Sequence, residues 1–376
     1  MQETFRGNKI AVVMLACRDY EATELALACH MAYGNRDVPF YILPNCRGNY
    51  DAERTLEVAR RYEQLFPRTV KVVDWLPPGP PYHSISRLLQ SDEFARYDLI
   101  CKVDDDAFPI APGWLNELVE CFLSEEEARG ERLAYVTPLI NNNCWGFLET
   151  IKAMGLAEEY FSSVAMEHRI GAGAESAPYR ILPASEVGTG ANGTVWGYPH
   201  IARWLHERTT LQPDAFIEAT RSLGRIPVPS KERYSIGCLV FRRTLWEKVE
   251  DGGTDDEHML HQYCAKRDRD IVCQASIPFI HLAYFSQREE NRDLVERARE
   301  VYEPRLKFPF PIALRSSRLL EIEARLRWME NASGTAGGAP TGVSGALSPE
   351  VFGVQAAKGV AKAILFKLRL RKTPPR

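Results

Sequence analysis

The chain has 376 residues, 45% hydrophobic and 26% charged, with a formal net charge of −3. That is an ordinary globular balance, long enough for one large domain or two modest ones, and it argues against a strongly basic nucleic-acid binder. Nine cysteines, an odd number with no C-x-x-C pair, argue against a disulfide framework or a zinc ribbon and read as reduced thiols of a cytosolic protein.

The opening "MQETFRGNK" is polar, and "IAVVMLAC" behind it is too short for the apolar region of a secretory leader. No run approaches the ~20 apolar residues that span a bilayer. "KIAVVMLAC" (9–17) is instead a near-continuous apolar strand of the kind covered on both faces. "DYEATELALACHMAYG" (19–34) has helical spacing and stops at Gly34. A strand at 38–45, a helix at 50–66, a strand at 69–76 and a helix at 83–96 follow. This alternation predicts an α/β fold with a mostly parallel, Rossmann-like sheet and helices on both faces.

The next strand, "YDLICKVDDDAF" (97–108), ends in three carboxylates. Asp104 and Asp106 are expected to point the same way by strand alternation, where they repel unless a cation lies near. Acidic triplets on loops are commonly solvated surface. This one sits at the carboxyl end of a buried strand, where open α/β sheets bind ligands. Oxygen ligands of this kind suit Mg²⁺ or Mn²⁺. The helix "GWLNELVECFL" and the strand 132–140 follow.

Residues 141–232 read as a loop-rich insertion that completes a cleft, with helical patterns near 146–169 and 199–223 around a Gly/Ala/Ser-rich stretch. Trp145, Trp196 and Tyr198 in it are candidates for stacking on a ligand or for the core. "YSIGCLVFRRTLWEKV" (234–249) resumes the strand-then-helix order, "TDDEHMLHQYCAKRD" (254–268) is a helix, and "IPFIHLAYF" (277–285) a strand. A charged helix ends near 331, residues 332–349 are a Gly/Ala/Ser/Pro linker, and 350–376 form a basic, amphipathic tail. Such a tail suits an anionic membrane surface, or else docks on the core.

In this order of features the chain resembles the GT-A-fold glycosyltransferases, closest to the inverting family 2 type. The likeness covers roughly residues 8–300. It rests on the N-terminal βαβ half, "VDDDAF" in place of the D-x-D motif, the acidic helix start "TDDEHML" and the strand histidine of "PFIHL". The G-x-G-x-x-G fingerprint is absent after the first strand, which counts against a nicotinamide enzyme.

The resemblance implies a nucleotide-binding half at 8–140, an acceptor region at 141–232, a catalytic half at 233–300 and a C-terminal helix at 301–331. It further implies a divalent metal, Mn²⁺ or Mg²⁺, a nucleotide-sugar donor (a UDP-sugar in the first instance) and a saccharide or glycolipid acceptor. By this likeness Asp106 is the prime metal ligand, joined by Asp104 and His281. Asp104 is also the nucleotide contact, and Asp105 is shared or structural. Asp256 is the expected general base, with Glu257 and Asp255 beside it. Arg18, Asp19, Asn45 and Arg87, near the first strand ends, are expected in the nucleotide pocket. The expected location is cytoplasmic, peripheral at the inner face of the membrane. A sugar-phosphate nucleotidyltransferase, a retaining GT-A enzyme and a non-catalytic cation- or carbohydrate-binding module are the alternatives. The nucleotidyltransferase is disfavoured because "LACRDYEATE" has no glycine.

Overall fold

The computed structural model describes residues 4–17, 19–45, 52–143, 145–164, 199–229, 237–249, 253, 255–282 and 289–306. All belong to the unit Met1–Ser317; the second unit, Arg318–Arg376, holds the expected linker and tail, which lie outside the described residues. So do Arg18, Trp196, Tyr198 and most of the helix expected at 301–331.

The strands are β1 (Thr4–Phe5), β2 (Asn8–Ala16), β3 (Phe40–Pro44), β4 (Val70–Val72), β5 (Leu99–Asp104), β6 (Ala107–Pro109), β7 (Leu133–Ile140), β8 (Arg225–Val228), β9 (Cys238–Arg242) and β10 (Asp270–His281). They form one sheet in the order β4-β3-β2-β5-β9-β7-β10-β6, with β1 paired to β2 and β8 to β10. Leaving aside short turns such as Ala157–Glu159, the helices among the described residues are α1 (Tyr20–Tyr33), α2 (Ala52–Leu65), α3 (Pro81–Gln90), α4 (Trp114–Arg129), α5 (Gly146–Ala153), α6 (Pro199–Arg208), α7 (Pro213–Thr220), α8 (Arg243–Lys248), α9 (Asp256–Lys266) and α10 (Arg292–Tyr302).

The expected α/β class is found. β2, β3, β4 and β5 are mutually parallel, and a helix leads into each of the last three. From Ile10 to Ala16 every residue of β2 is buried, as a strand covered on both faces requires. α1 begins where Asp19 caps it, accepting from the Ala22 amide at 3.0 Å, and its last turn meets the Gly34 amide at the His30 carbonyl.

β9 departs from the repeat. It lies between β5 and β7 and runs antiparallel to both. Helix–strand alternation dictates direction only where the crossover is a single helix, and here the long 141–232 segment intervenes. The expected 199–223 helix is two helices, because Pro213 opens α7 at its first turn. The last strand begins at Asp270, well before the expected 277, and pairs in parallel with β7 and antiparallel with β6 and β8.

This topology assembles one edge. The ends of β2, β3 and β5 are in register, with Leu15 opposite Asp104 and Ala16 opposite Pro44. The turn Asp105–Asp106 then reverses the chain into β6, which places Ala107 opposite His281 at the end of β10.

Candidate functional site

β5 ends at Asp104, so the strand alternation expected to align Asp104 with Asp106 does not reach the latter; a turn delivers Asp106 instead. Nor is the triplet a solvated surface run. Asp105 and Asp106 are 3% and 1% exposed, and only Asp104 keeps appreciable contact with solvent.

Each carboxylate has a different environment. Asp105 Oδ2 accepts from the Cys17 amide at 2.7 Å and the Thr23 hydroxyl at 3.2 Å, bracing the β2–α1 junction. Hydrogen bonds to a charged acceptor are worth about 1.5–3 kcal/mol each. Asp106 Oδ1 faces His281 Nε2 at 3.1 Å, both buried. Its backbone carbonyl also accepts from the Leu282 amide at 2.9 Å, which fixes the turn to the end of β10.

His281 is held from behind. Asn142 Nδ2 donates to the His281 carbonyl at 2.6 Å, which orients the amide so that its Oδ1 faces the ring Nδ1 at 2.8 Å. Nδ1 therefore carries a proton, and Nε2 is the atom presented to Asp106. Asn141 Oδ1 accepts from the His281 amide at 3.1 Å, and its Nδ2 donates to Thr209. Burial would lower the His281 pKa, but Asp106 outweighs it, with Asp104 and Glu257 adding, and holds it above the ordinary histidine value.

Asp104 Oδ1 accepts from Lys102 Nζ at 2.6 Å. Lys102 and Asp104 share a face of β5 by the period of two. The same ammonium lies 3.0 Å from the buried Asp256 Oδ2, an ion pair between β5 and α9. Burial would depress the Lys102 pKa; Asp104 and then Asp256 outweigh it and keep the group charged. Burial, then Asp256 and Asp106, raise the Asp104 pKa against the pull of Lys102. Gly237 closes this side. Its carbonyl accepts from the Asp104 amide at 3.0 Å, and a Cβ there would stand 3.3 Å from Ile140 Cδ1 and 3.9 Å from Asp104 Oδ2.

The acidic start of α9 is divided among three roles. Asp255 is exposed and caps the helix, accepting from the His258 amide at 2.9 Å. Asp256 is buried against Lys102, and Glu257 is half-buried with its charge acting on His281.

On the nucleotide side, Asn45 Oδ1 accepts from the Gly79 amide at 3.0 Å and Ser84 Oγ at 3.1 Å, while its buried Nδ2 has no hydrogen-bond partner. Arg87 is exposed and lies over Gly79, where a Cβ would come within 2.9 Å of its Nη2. Its Nη1 donates to the Pro77 carbonyl at 3.3 Å. Asn45 and Arg87 thus meet through Gly79, whereas Asp19 is spent on the α1 cap.

Lys102, Asn141, Asn142 and Gly237 escaped sequence reasoning. The signals were a lone lysine inside the apolar "LICKV" and three asparagines directly after β7.

Among the described residues no three His, Cys, Asp or Glu side chains form a ready metal cluster. Asp106 and His281 nonetheless fit a divalent ion as a pair. Two donors at right angles around an octahedral ion, each about 2.1 Å from it, lie about 3 Å apart, and sites for phosphate substrates complete the shell with phosphate oxygens and water.

No family model matches the chain, and no curated protein matches it by sequence. Among solved structures it is similar to a mannosyltransferase from Pyrobaculum calidifontis in complex with GDP-Man and Mn²⁺, with 13% identity and a TM-score of 0.38 over 95% of this chain and 81% of that one. It is similar to GalNAc-T7 with UDP, GalNAc and Mn²⁺, with 12% identity and a TM-score of 0.40 over 83% of this chain, spanning 50% of that protein. A mycobacterial protein gives 16% identity and a TM-score of 0.35 over 79% of this chain and 73% of that one.

Proposed function

We propose that the protein is a metal-dependent glycosyltransferase that moves a sugar, with inversion, from a nucleoside-diphosphate sugar to a hydroxyl acceptor. The observation that carries the reading is the buried Asp106–His281 pair, 3.1 Å apart at the carboxyl edge of the sheet, with the Asp256 carboxylate close by across Lys102.

Asp106 and His281 would hold the ion, and a nitrogen donor in the pair favours Mn²⁺ over Mg²⁺. Bound there, the ion supplies positive charge to the departing diphosphate. Asn45, with its unpaired amide donor, and Arg87 bind the nucleotide, a UDP-sugar being the first donor to try. Asp256 takes the proton of the acceptor hydroxyl on the opposite face of the sugar, which inversion requires. Asp255, as the α9 cap, and Asp105, as the β2–α1 brace, support this geometry from outside the reaction. The acceptor is a saccharide or glycolipid, and the basic 350–376 segment brings the enzyme to anionic membrane where that acceptor resides.

A panel of nucleotide-sugars incubated with Mn²⁺ tests the proposal. Release of a nucleoside diphosphate from one of them, abolished by chelation, is the expected result. Pyrophosphate from a nucleoside triphosphate and a sugar phosphate would instead make the protein a nucleotidyltransferase. Binding without turnover of any donor or acceptor would make it a binding module, and a retained anomeric configuration in the product would remove Asp256 as base.

A further inference from the structure

Lys102 is a fully buried cation in a strand that is otherwise apolar, "LICKV", and buried lysines are rare unless paired. Its side chain is 2% exposed and meets two carboxylates, its strand neighbour Asp104 at 2.6 Å and the sequence-distant Asp256 at 3.0 Å. Asp106 faces His281 at 3.1 Å, and both feel the charge of Asp104. Four potential metal donors are therefore gathered at one edge, and the ammonium engages one pair of them, Asp104 and Asp256. This pairing agrees with the absence, among the described residues, of any three-donor metal cluster.

We propose that Lys102 is a positioning residue that partitions this site, holding Asp256 and one oxygen of Asp104 away from the metal so that Asp256 stays free to serve as the base. The inference rests on the reading of Asp106 and His281 as the metal pair.

Without the ammonium, nothing opposes the attraction of a divalent ion for Asp256 and both oxygens of Asp104. A carboxylate that joins the metal shell has its lone pairs committed and its basicity reduced, and a base must keep them available for a proton. Ion affinity at hard-cation sites rises with the number and charge of the ligands. Removing a positive residue should thus tighten metal binding while it lowers turnover. A lysine that only ties α9 to the sheet has no such effect, because losing a structural tie weakens the fold alike with and without metal.

The test is calorimetric binding of Mn²⁺ alone, with no nucleotide, together with the rise in melting temperature that Mn²⁺ produces. Lys102→Met is expected to bind Mn²⁺ at least about tenfold more tightly than the natural protein, in line with the dependence on ligand charge, and to gain more melting temperature from it. Lys102→Met/Asp256→Asn, which removes one charge of each sign, is expected to return toward the natural affinity. Asp256→Asn alone is expected to leave Mn²⁺ affinity within about twofold, since Asp256 is not a ligand while Lys102 is in place.

A weaker or equal affinity in Lys102→Met, or a tenfold loss in Asp256→Asn, overturns the proposal. If Lys102→Met does not fold, Asp256→Asn decides alone. Asp106→Asn separates the two claims. If it leaves Mn²⁺ binding intact, the metal pair itself is wrong; if it abolishes binding while Lys102→Met shows no gain, only the partitioning role falls.

Discussion

Asn142 grips His281 at both ends, its Nδ2 on the backbone carbonyl at 2.6 Å and its Oδ1 against ring Nδ1 at 2.8 Å. The tautomer and the ring direction follow from one side chain. Partners that orient a metal-binding histidine are commonly worth 10- to 100-fold in metal affinity. Asn142→Leu is therefore predicted to weaken Mn²⁺ binding by roughly that factor, read by calorimetry. An unchanged affinity would mean that the clamp has no bearing on the metal.

For Asp106→Asn, the nucleoside diphosphate affinity measured with Mn²⁺ is predicted to fall at least about 100-fold, more than for an outer partner. Binding measured without metal should change little. Because Asp106 is 1% exposed, thermal unfolding must be recorded alongside. A folded variant with full Mn²⁺-dependent affinity would remove Asp106 from the site.

Asp256→Asn is predicted to lower transfer by roughly 10²–10⁴-fold, the usual worth of a general base. Donor affinity should hold, since the base addresses the acceptor. Should Glu257→Gln abolish turnover while Asp256→Asn is mild, the base is Glu257. Single-turnover rates with a shared acceptor distinguish the two.

Acid sensitivity has a source in His30. Its Nε2 donates to the Ala107 carbonyl at 2.9 Å, and burial lowers its pKa to about 4. The unfolded imidazole titrates near ~6.5. Between those values the unfolded chain binds the extra proton. The contribution is complete above about pH 6.5 and is lost as pH falls toward the folded value, by ~1.4 kcal/mol per pH unit. His30→Gln keeps an amide donor and removes the titration. Urea midpoints at pH 7 and pH 4.5 should differ less in the variant; an equal difference would place the acid sensitivity elsewhere.

Deleting residues 350–376 is predicted to leave transfer to a soluble acceptor intact and to abolish sedimentation with anionic vesicles. Lys358, Lys362, Lys367, Arg369, Arg371 and Lys372 lie in that stretch, and each charge near such a surface is worth about 1 kcal/mol at low salt. Full-length binding should weaken as salt shortens the Debye length. Vesicle binding that survives the deletion would locate the contact in another part of the chain.

The N-terminal half was legible because its signals are local. The continuous apolar run of β2, the Gly34 stop of α1, and the carboxylates closing β5 each declare themselves within a few residues. His281 and the α9 carboxylates were legible as candidates through order alone. What joins them was not. The Lys102–Asp256 ion pair, the Asn142–His281 clamp and the Asp106–His281 pair depend on β9 running backwards, on β10 pairing with β7 and on β10 meeting β6, and no local pattern encodes any of them. The three-residue β6 and four-residue β8 are too short to carry a periodicity.

The central claim is that His281 and Asp106 hold Mn²⁺ together, and electron spin-echo spectroscopy of Mn²⁺ with a bound nucleoside diphosphate addresses it most directly. The predicted result is modulation from a directly coordinated imidazole nitrogen in the natural protein, lost in His281→Gln. A spectrum without nitrogen coupling in the natural protein, or the same coupling in His281→Gln, would contradict the account.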